Sequence, residues 1–190
     1  MSNQETIKKL GTGKLLIAQP FMRDDFFKKS VIFLTDYHPE GTVGFMLNRP
    51  LRMNVKNLIS DFPEFAAPVF AGGPVQRDTV HYLHTAGSIL DGSKEIIPGV
   101  YWGGNFNQLK FLVSNEVIGP HDIRFFVGYS GWSPGQLEDE MDETASWLVA
   151  DADPNYIFHN EQTDIWKQVL SHKSDNYSLL TSMGDDIHFN

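Results

Sequence analysis

Five short stretches carry residue types that could do chemistry. In GYSGW, Ser130 closes an apolar run just before a helix-like segment, the setting of a strained nucleophile turn. That turn requires Gly-x-Ser-x-Gly, whereas Gly128, Ser130 and Gly131 give Gly-x-Ser-Gly, and spacing assigns no His and Asp partners. A tight strand-to-helix corner built from small residues explains the stretch better, so no catalytic residue is assigned. His81 and His84 are separated as in many metal-ligand pairs, but TVHYLH reads as a strand, where positions three apart point to opposite faces. No metal site is assigned there. Gly72-Gly73-Pro74 is too short for a phosphate loop and lacks its Gly-Lys-Ser/Thr ending. Gly103-Gly104 precedes a helix that Asn105 can cap, and the free amides there could hold an anion, as many helix starts could. Asn48-Arg49-Pro50 ends a hairpin strand and delivers an amide and a guanidinium together. Arg49 could grip a carboxylate or phosphate with two parallel hydrogen bonds. An internal use, paired with a structural carboxylate or stacked on an aromatic ring, is the stronger reading.

The elements that must position these groups follow from periodicity and turn chemistry. KLLIAQP reads as a strand closed by Pro20, and the loop FMRDDFFKKS leads into a second strand, SVIFLTDY. HPEG then turns the chain, with Pro39 fixing a negative φ and Gly41 tolerating a positive one, so that TVGFMLN returns antiparallel. A short helix is predicted over NVKNLISDF, then strands at PVFAGG and TVHYLH, an extended EIIPGVYWGG, and a helix FNQLKFLVSN. Phe106, Leu109, Leu112 and Val113 share one face of that helix. DIRFFVGYSGW is a long apolar strand that runs into SPGQLEDEMDETASWLVA, a predicted helix with a buried stripe of Leu137, Met141, Ala145 and Leu148. Its start carries a capping box, Ser133 with Gln136, and Pro134 at the first helical position. A strand at NYIFH, a helix at EQTDIWKQVL and a tail from 173 to 190 complete one domain spanning 1–190, with its core at about 14–170. Strands mixed with short helices in no βαβ alternation indicate an α+β fold.

Composition narrows the function classes. The 190 residues contain no cysteine, which excludes disulfides, thiolate nucleophiles and cysteine-ligated metal or cluster sites. No run approaches the ~20 apolar residues of a membrane span, and the start, MSNQETIKKLGTGK, shows no secretory signal, so a cytoplasmic location and no membrane role are expected. The net charge is −9, and its placement matters more than its size. No Lys or Arg occurs between Arg124 and Lys167, a window holding nine carboxylates, among them Glu138, Asp139, Glu140, Asp142 and Glu143. Three of them face the positive end of their helix dipole, worth roughly 0.3–1 kcal/mol each when exposed. The run is either a solvated helix face or a surface for a basic partner. Nucleic-acid binding draws its affinity from clustered Lys and Arg, and only the doublets Lys8-Lys9 and Lys28-Lys29 are present. Trp102, Trp132, Trp147 and Trp166 could anchor an interface, although aromatic residues at such spacing more often fill a core.

Taken in order, these motifs resemble the YqgE/AlgH family of bacterial proteins. The resemblance rests on Phe27 to Ile32, the turn His38 to Gly41, GFMLNRP from Gly44 to Pro50, GGPV from Gly72 to Val75, Leu83-His84, Gly99 to Gly103, and above all GYSGWSPGQLEDE from Gly128 to Glu140. Where this chain has Ser130 the family pattern carries Ala, which weighs further against a serine nucleophile. The resemblance implies a compact fold with a branched mixed and antiparallel sheet containing a small barrel, surrounded by helices. It brings no established reaction. The family is often labelled as transcriptional regulators, yet no helix-turn-helix with a basic recognition helix occurs here.

The expected function is that of a non-catalytic cytosolic binding or regulatory protein, without a cofactor. Asn48, Arg49, Gly72, Gly73, Trp132, Ser133 and Gln136 are the candidate contacts for a small anionic ligand or a protein partner. Direct transcriptional control through DNA and hydrolysis of a phosphorylated small molecule are the alternatives.

Overall fold

A computed structural model describes residues 3–144, 146–158 and 164–173 of the chain. Within them, the first helix, α1 (Asn3–Ile7), is followed by strand β1 (Lys14–Ala18) and the hairpin of β2 (Val31–His38) with β3 (Gly41–Met46). Gly41 has φ +142, the conformation its turn demanded. Helix α2 (Val55–Leu58) is held by a reciprocal pair in which Asn54 and Asn57 each accept the other's backbone N–H. Strands β4 (Val69–Ala71) and β5 (Val75–His84) come next. EIIPGVYWGG, read as one extended run, is split by Pro98-Gly99 into a hairpin of β6 (Lys94–Ile97) and β7 (Val100–Trp102). Helix α3 (Phe106–Ser114) begins at Asn105, whose side chain accepts from Gln108 N–H as expected.

Strand β8 (Ile123–Trp132) is where the sheet branches. It runs antiparallel to β5 along one edge, while its other edge serves β4 in parallel from Phe125 to Val127 and then β3 in antiparallel from Ser130 to Trp132. Glycines permit the crowding. A Cβ on Gly72 would lie 2.2 Å from the Gly128 carbonyl, and one on Gly73 would lie 2.1 Å from the Tyr129 backbone. The full order is β6-β7-β5-β8-β3-β2-β1-β9, with β9 (Trp147–Asp151) antiparallel to β1. The sheet curls until β6 at one end reaches β1 and β2, since Lys94 pairs with Asp36 at 3.0 Å and Gly13 backs onto Ile97. The result is the expected branched α+β sheet, curled into a half-barrel.

Both faces of β1 and β2 are covered, which is why their apolar residues run without alternation. Leu15, Ile17, Phe33, Phe45 and Phe126 fill the interior of the curl with α5 (Pro154–Phe158) and α6 (Ile165–Lys173). Leu16, Ile32, Leu34 and Met46 pack outward against Trp132, Trp147 and the α4 helix (Gln136–Thr144). A third cluster joins β4, β5 and β8 to α2 and α3 through Phe62, Tyr82, Leu109 and Phe125.

Three expectations about elements are corrected. The helix predicted to run through WLVA stops at Thr144, and Trp147 to Asp151 form β9, because the exposed edge of β1 offers those β-formers five backbone pairings. Leu148 therefore belongs to a strand and not to the helical stripe; Leu137 and Met141 keep their places, and Ala145 lies outside the described residues. NYIFH is helical rather than extended from Pro154 to Phe158, started by Asp153, whose side chain accepts from Asn155 N–H at 2.8 Å. Finally, Pro134 and Gly135 form the turn ahead of α4 instead of its first residues, because Gly135 sits at φ +77 and its carbonyl takes the first helical bond, from Asp139 N–H. The 174–190 tail and the His159 end of NYIFH lie outside the described residues.

As expected, His81 and His84 face opposite ways. His84 is buried, and its Nδ1 accepts from Ala86 N–H, so that Nε2 carries the proton and donates to the Gly103 carbonyl at 2.8 Å. His81 Nε2 lies 3.0 Å from Thr79 Oγ1 on the other face. Burial holds both rings below their usual value of 6.5. The unfolded chain therefore takes up protons first as pH falls through about 6.5, and stability is present above that value and lost below it. Tm should fall as pH is lowered from about 7.5 to about 5.5. H84N, less stable at neutral pH, should show a shallower slope; an unchanged slope would show that His84 does not titrate with folding. In denaturant unfolding, Gly73→Ala should lose about 3 kcal/mol or more by overpacking against β8, whereas Gly11→Ala, with open space around it, should stay within about 1 kcal/mol.

Candidate functional site

Asn48 and Arg49 follow β3 and point their donors at one loop, residues 20–30. Asn48 Nδ2 donates to the Lys29 carbonyl at 2.7 Å, and its Oδ1 accepts from Val31 N–H at 3.0 Å. Arg49 Nη2 donates to the carbonyls of Phe26 and Lys28 at 2.7 and 3.2 Å, with its guanidinium 5.7 Å from the Phe26 ring. The loop also ties itself together: Asp24 Oδ1 accepts from Phe26 and Phe27 N–H, and Ser30 N–H donates to the Phe27 carbonyl. Of the two uses left open for Arg49, the structure displays the internal one, with an aromatic neighbour and backbone acceptors in place of a structural carboxylate.

Gly72 and Gly73 lie inside the sheet. The Gly72 carbonyl accepts from Met46 N–H and from the buried Ser130 hydroxyl at 3.0 Å, so Ser130 closes the corner between β4 and β8. Ser133 faces a separate shallow depression of about 520 Å³ shared with Asp36, His38 and Tyr129. Its backbone N–H donates to Gln136 Oε1 at 3.0 Å, half of the expected capping box.

Trp132 and Gln136 lead to Glu140, a member of the acidic run. Trp132 Nε1 and Trp147 Nε1 both donate to Glu140 Oε2, at 3.1 and 3.2 Å, and Gln136 Nε2 donates to Glu140 Oε1 at 3.0 Å. One carboxylate thus joins the end of β8, helix α4 and the start of β9 through three neutral donors. Phe27, from the loop that Arg49 holds, stacks on Trp132 at 6.3 Å and meets Trp147 edge-on at 5.6 Å. The loop and α4 are therefore two walls fixed to one aromatic floor.

Between these walls is a cleft of about 670 Å³ lined by Phe21, Met22, Arg23, Asp24, Phe27 and Trp147, with Glu140 and Glu143 on the α4 side. Phe21 is 79% exposed at its lip, the most exposed large apolar side chain among the described residues. Three carboxylates and one guanidinium line the space, and none of the four forms an ion pair among the described residues. So four of the nominated residues converge here, but from behind: Asn48 and Arg49 set the loop, while Trp132 and Gln136 set Glu140. Glu140 and Glu143 belong to the acidic run read as either a solvated face or a surface for a basic partner, and Trp147 to the aromatic residues weighed as interface anchors; Phe21 and Phe27 were not nominated, and the aromatic-rich loop FMRDDFFKKS was the available signal, because such a loop must either bury or display its rings. Among the described residues no cluster of three His, Asp or Glu could hold a metal ion, and no helix is long and apolar enough to cross a membrane.

With this architecture established, comparison with known proteins assigns the family. The AlgH-like family model matches residues 15–178, and the chain belongs to that family. It is 43% identical over 175 residues to a UPF0301 protein of Chlorobium luteolum, covering 92% of each chain. It is 44% identical over 182 residues to a UPF0301 protein of Chlorobaculum tepidum, covering 96% of each. The solution structure of the AlgH protein from Pseudomonas aeruginosa is similar at a TM-score of 0.71 and 29% identity, over 90% of this chain and 93% of that one. A crystal structure of a Corynebacterium diphtheriae protein shares the fold at a TM-score of 0.74 and 24% identity, over 90% and 91% of the two chains.

If Glu140 is the tie between these elements, Glu140→Ala strands two largely buried indole N–H groups and should cost about 3 kcal/mol in denaturant unfolding. Glu143→Ala, on the same helix but exposed, should stay within about 0.5 kcal/mol. Equal effects would remove Glu140 from that role.

Proposed function

We propose that this AlgH-like protein is a non-catalytic cytosolic binding or regulatory protein that receives a protein partner in the cleft between the 20–30 loop and α4. The observation that carries the reading is the presentation of Phe21, an aromatic side chain held in water by a loop whose own backbone is fastened at Phe26, Lys28 and Lys29. A displayed aromatic on a rigid support beside a concavity is how a partner's buried anchor is prepared, since little conformational entropy remains to be lost on binding. A small anion is supported less well, because the charged part of the lining is three carboxylates against one guanidinium and Arg49 donates to backbone carbonyls. The same carboxylates oppose a phosphate backbone, which counts against direct DNA binding. The hydrolase alternative needs Arg49 to hold a phosphoryl group, and draws little support from a guanidinium that donates to the Phe26 and Lys28 carbonyls.

The test is site-specific crosslinking in the protein's native cells. A photo-reactive phenylalanine at position 21 should give discrete protein adducts, while the same group at Val117, 53% exposed on another face, should not. Arg49→Ala and Gln136→Ala, which unfasten the loop and Glu140 without removing Phe21, should reduce those adducts several-fold. Absence of adducts at position 21, or equal adducts at both positions, would overturn the assignment.

A further inference from the structure

Resting on that reading, we infer that the occupant of the cleft is a polypeptide segment presenting lysine or arginine beside apolar side chains, a cationic amphipathic segment of another protein. The chemistry of the walls selects it. Asp24 on the loop side and Glu140 and Glu143 on the α4 side place carboxylates on both walls, and none is neutralised by an ion pair among the described residues. Glu140 also accepts from neutral donors only, the two indoles and the Gln136 amide, and has no counter-cation among the described residues. Phe21, Met22, Phe27 and Trp147 supply the apolar share of the same surface. A cleft of about 670 Å³ falls within the range of about 300–1,000 Å³ that accepts a small ligand or a few side chains.

The alternatives fail on charge. A second copy of this chain placed across the cleft would bring together two surfaces that each carry three carboxylates against the one guanidinium of Arg23, in a protein of net charge −9. A purely apolar segment would desolvate these carboxylates without supplying a counter-charge, at a cost that apolar contact with Phe21 would not offset. A cationic segment satisfies both parts of the lining. Glu138 and Asp139, also on α4, add a negative field on that side that draws such a segment in.

The experiment uses the full chain labelled with nitrogen-15 and two synthetic helical peptides of equal length, one patterned with Leu and Lys, the other with Leu and Glu. The indole N–H resonances of Trp132 and Trp147 report the cleft directly, because both donate to Glu140. The Lys peptide should shift them saturably, and its affinity should weaken several-fold between about 50 mM and about 300 mM salt. Phe21→Ser and Glu143→Lys, both at exposed positions, should each weaken it about tenfold, equivalent to 1.4 kcal/mol. Asp139→Lys, an equal charge change on α4 outside the cleft lining, should weaken it no more than about twofold. Equal shifts with the Glu peptide, no saturable shift, or equal losses in the Glu143 and Asp139 variants would each overturn the inference. Adducts at position 21 without Lys-peptide binding would leave the protein-binding reading intact and remove only the cationic occupant; loss of both would remove both.

Discussion

Strand β8 has two edges and three partners, and the rest of the fold is arranged around that shortage. Its edge opposite β5 is divided between β4 and β3, so β4 must leave the sheet where β3 enters it. The crossing occurs where Gly72, Gly73 and Gly128 let three backbones approach within distances no side chain allows. Once the branch is made, β3 carries the sheet onward through β2 and β1 to β9, while β5 and β7 carry it back to β6. The two arms curl toward each other and enclose Phe33, Phe45 and Phe126. The interior is thus closed by topology and two side-chain contacts, Lys94 with Asp36 and Gly13 with Ile97, instead of a continuous hydrogen-bonded barrel.

The cleft is a by-product of the same branch. Because β8 ends beside β3 at Trp132, the chain turns through Pro134 and Gly135 and lays α4 over the outer face of β1 to β3. Helix α4 then has to be joined to β9, which pairs at the far edge. Glu140 makes that join by accepting from an indole on each side. A carboxylate held by neutral donors is an economical clasp: it fixes two large rings in orientation and keeps its charge, which a lysine or arginine partner would have cancelled.

Much of this architecture was legible in the sequence, and the failures have physical causes. The β2–β3 hairpin, the Asn105 cap and the long β8 strand were readable because turn and cap chemistry is local. The change from α4 to β9 was not, because Leu148 continues the helical spacing of Leu137 and Met141, and only the open edge of β1 decides otherwise. NYIFH illustrates the reverse: Asp153 and Pro154 are a helix start, but β-branched and aromatic composition suggested a strand. At the site, Arg49, Trp132 and Gln136 drew attention as chemically able residues, and they do converge. Their role is to position others, since which side a long side chain serves depends on contacts between positions 26 and 49, or 132 and 147, that no local pattern encodes.

The way the 20–30 loop is held has a consequence for how its surface can change. The hydrogen bonds that Asn48 and Arg49 donate to the loop go only to main-chain carbonyls at positions 26, 28 and 29, groups that every amino acid supplies. The conformation of the loop is therefore largely indifferent to the side chains displayed at positions 21 and 23. Those two can be rewritten while the scaffold beneath them stays the same, much as a binding loop is re-lettered on an antibody frame. Specificity on this face is accordingly a separable, transplantable property, and the loop with its two anchoring residues is a natural unit for redesign.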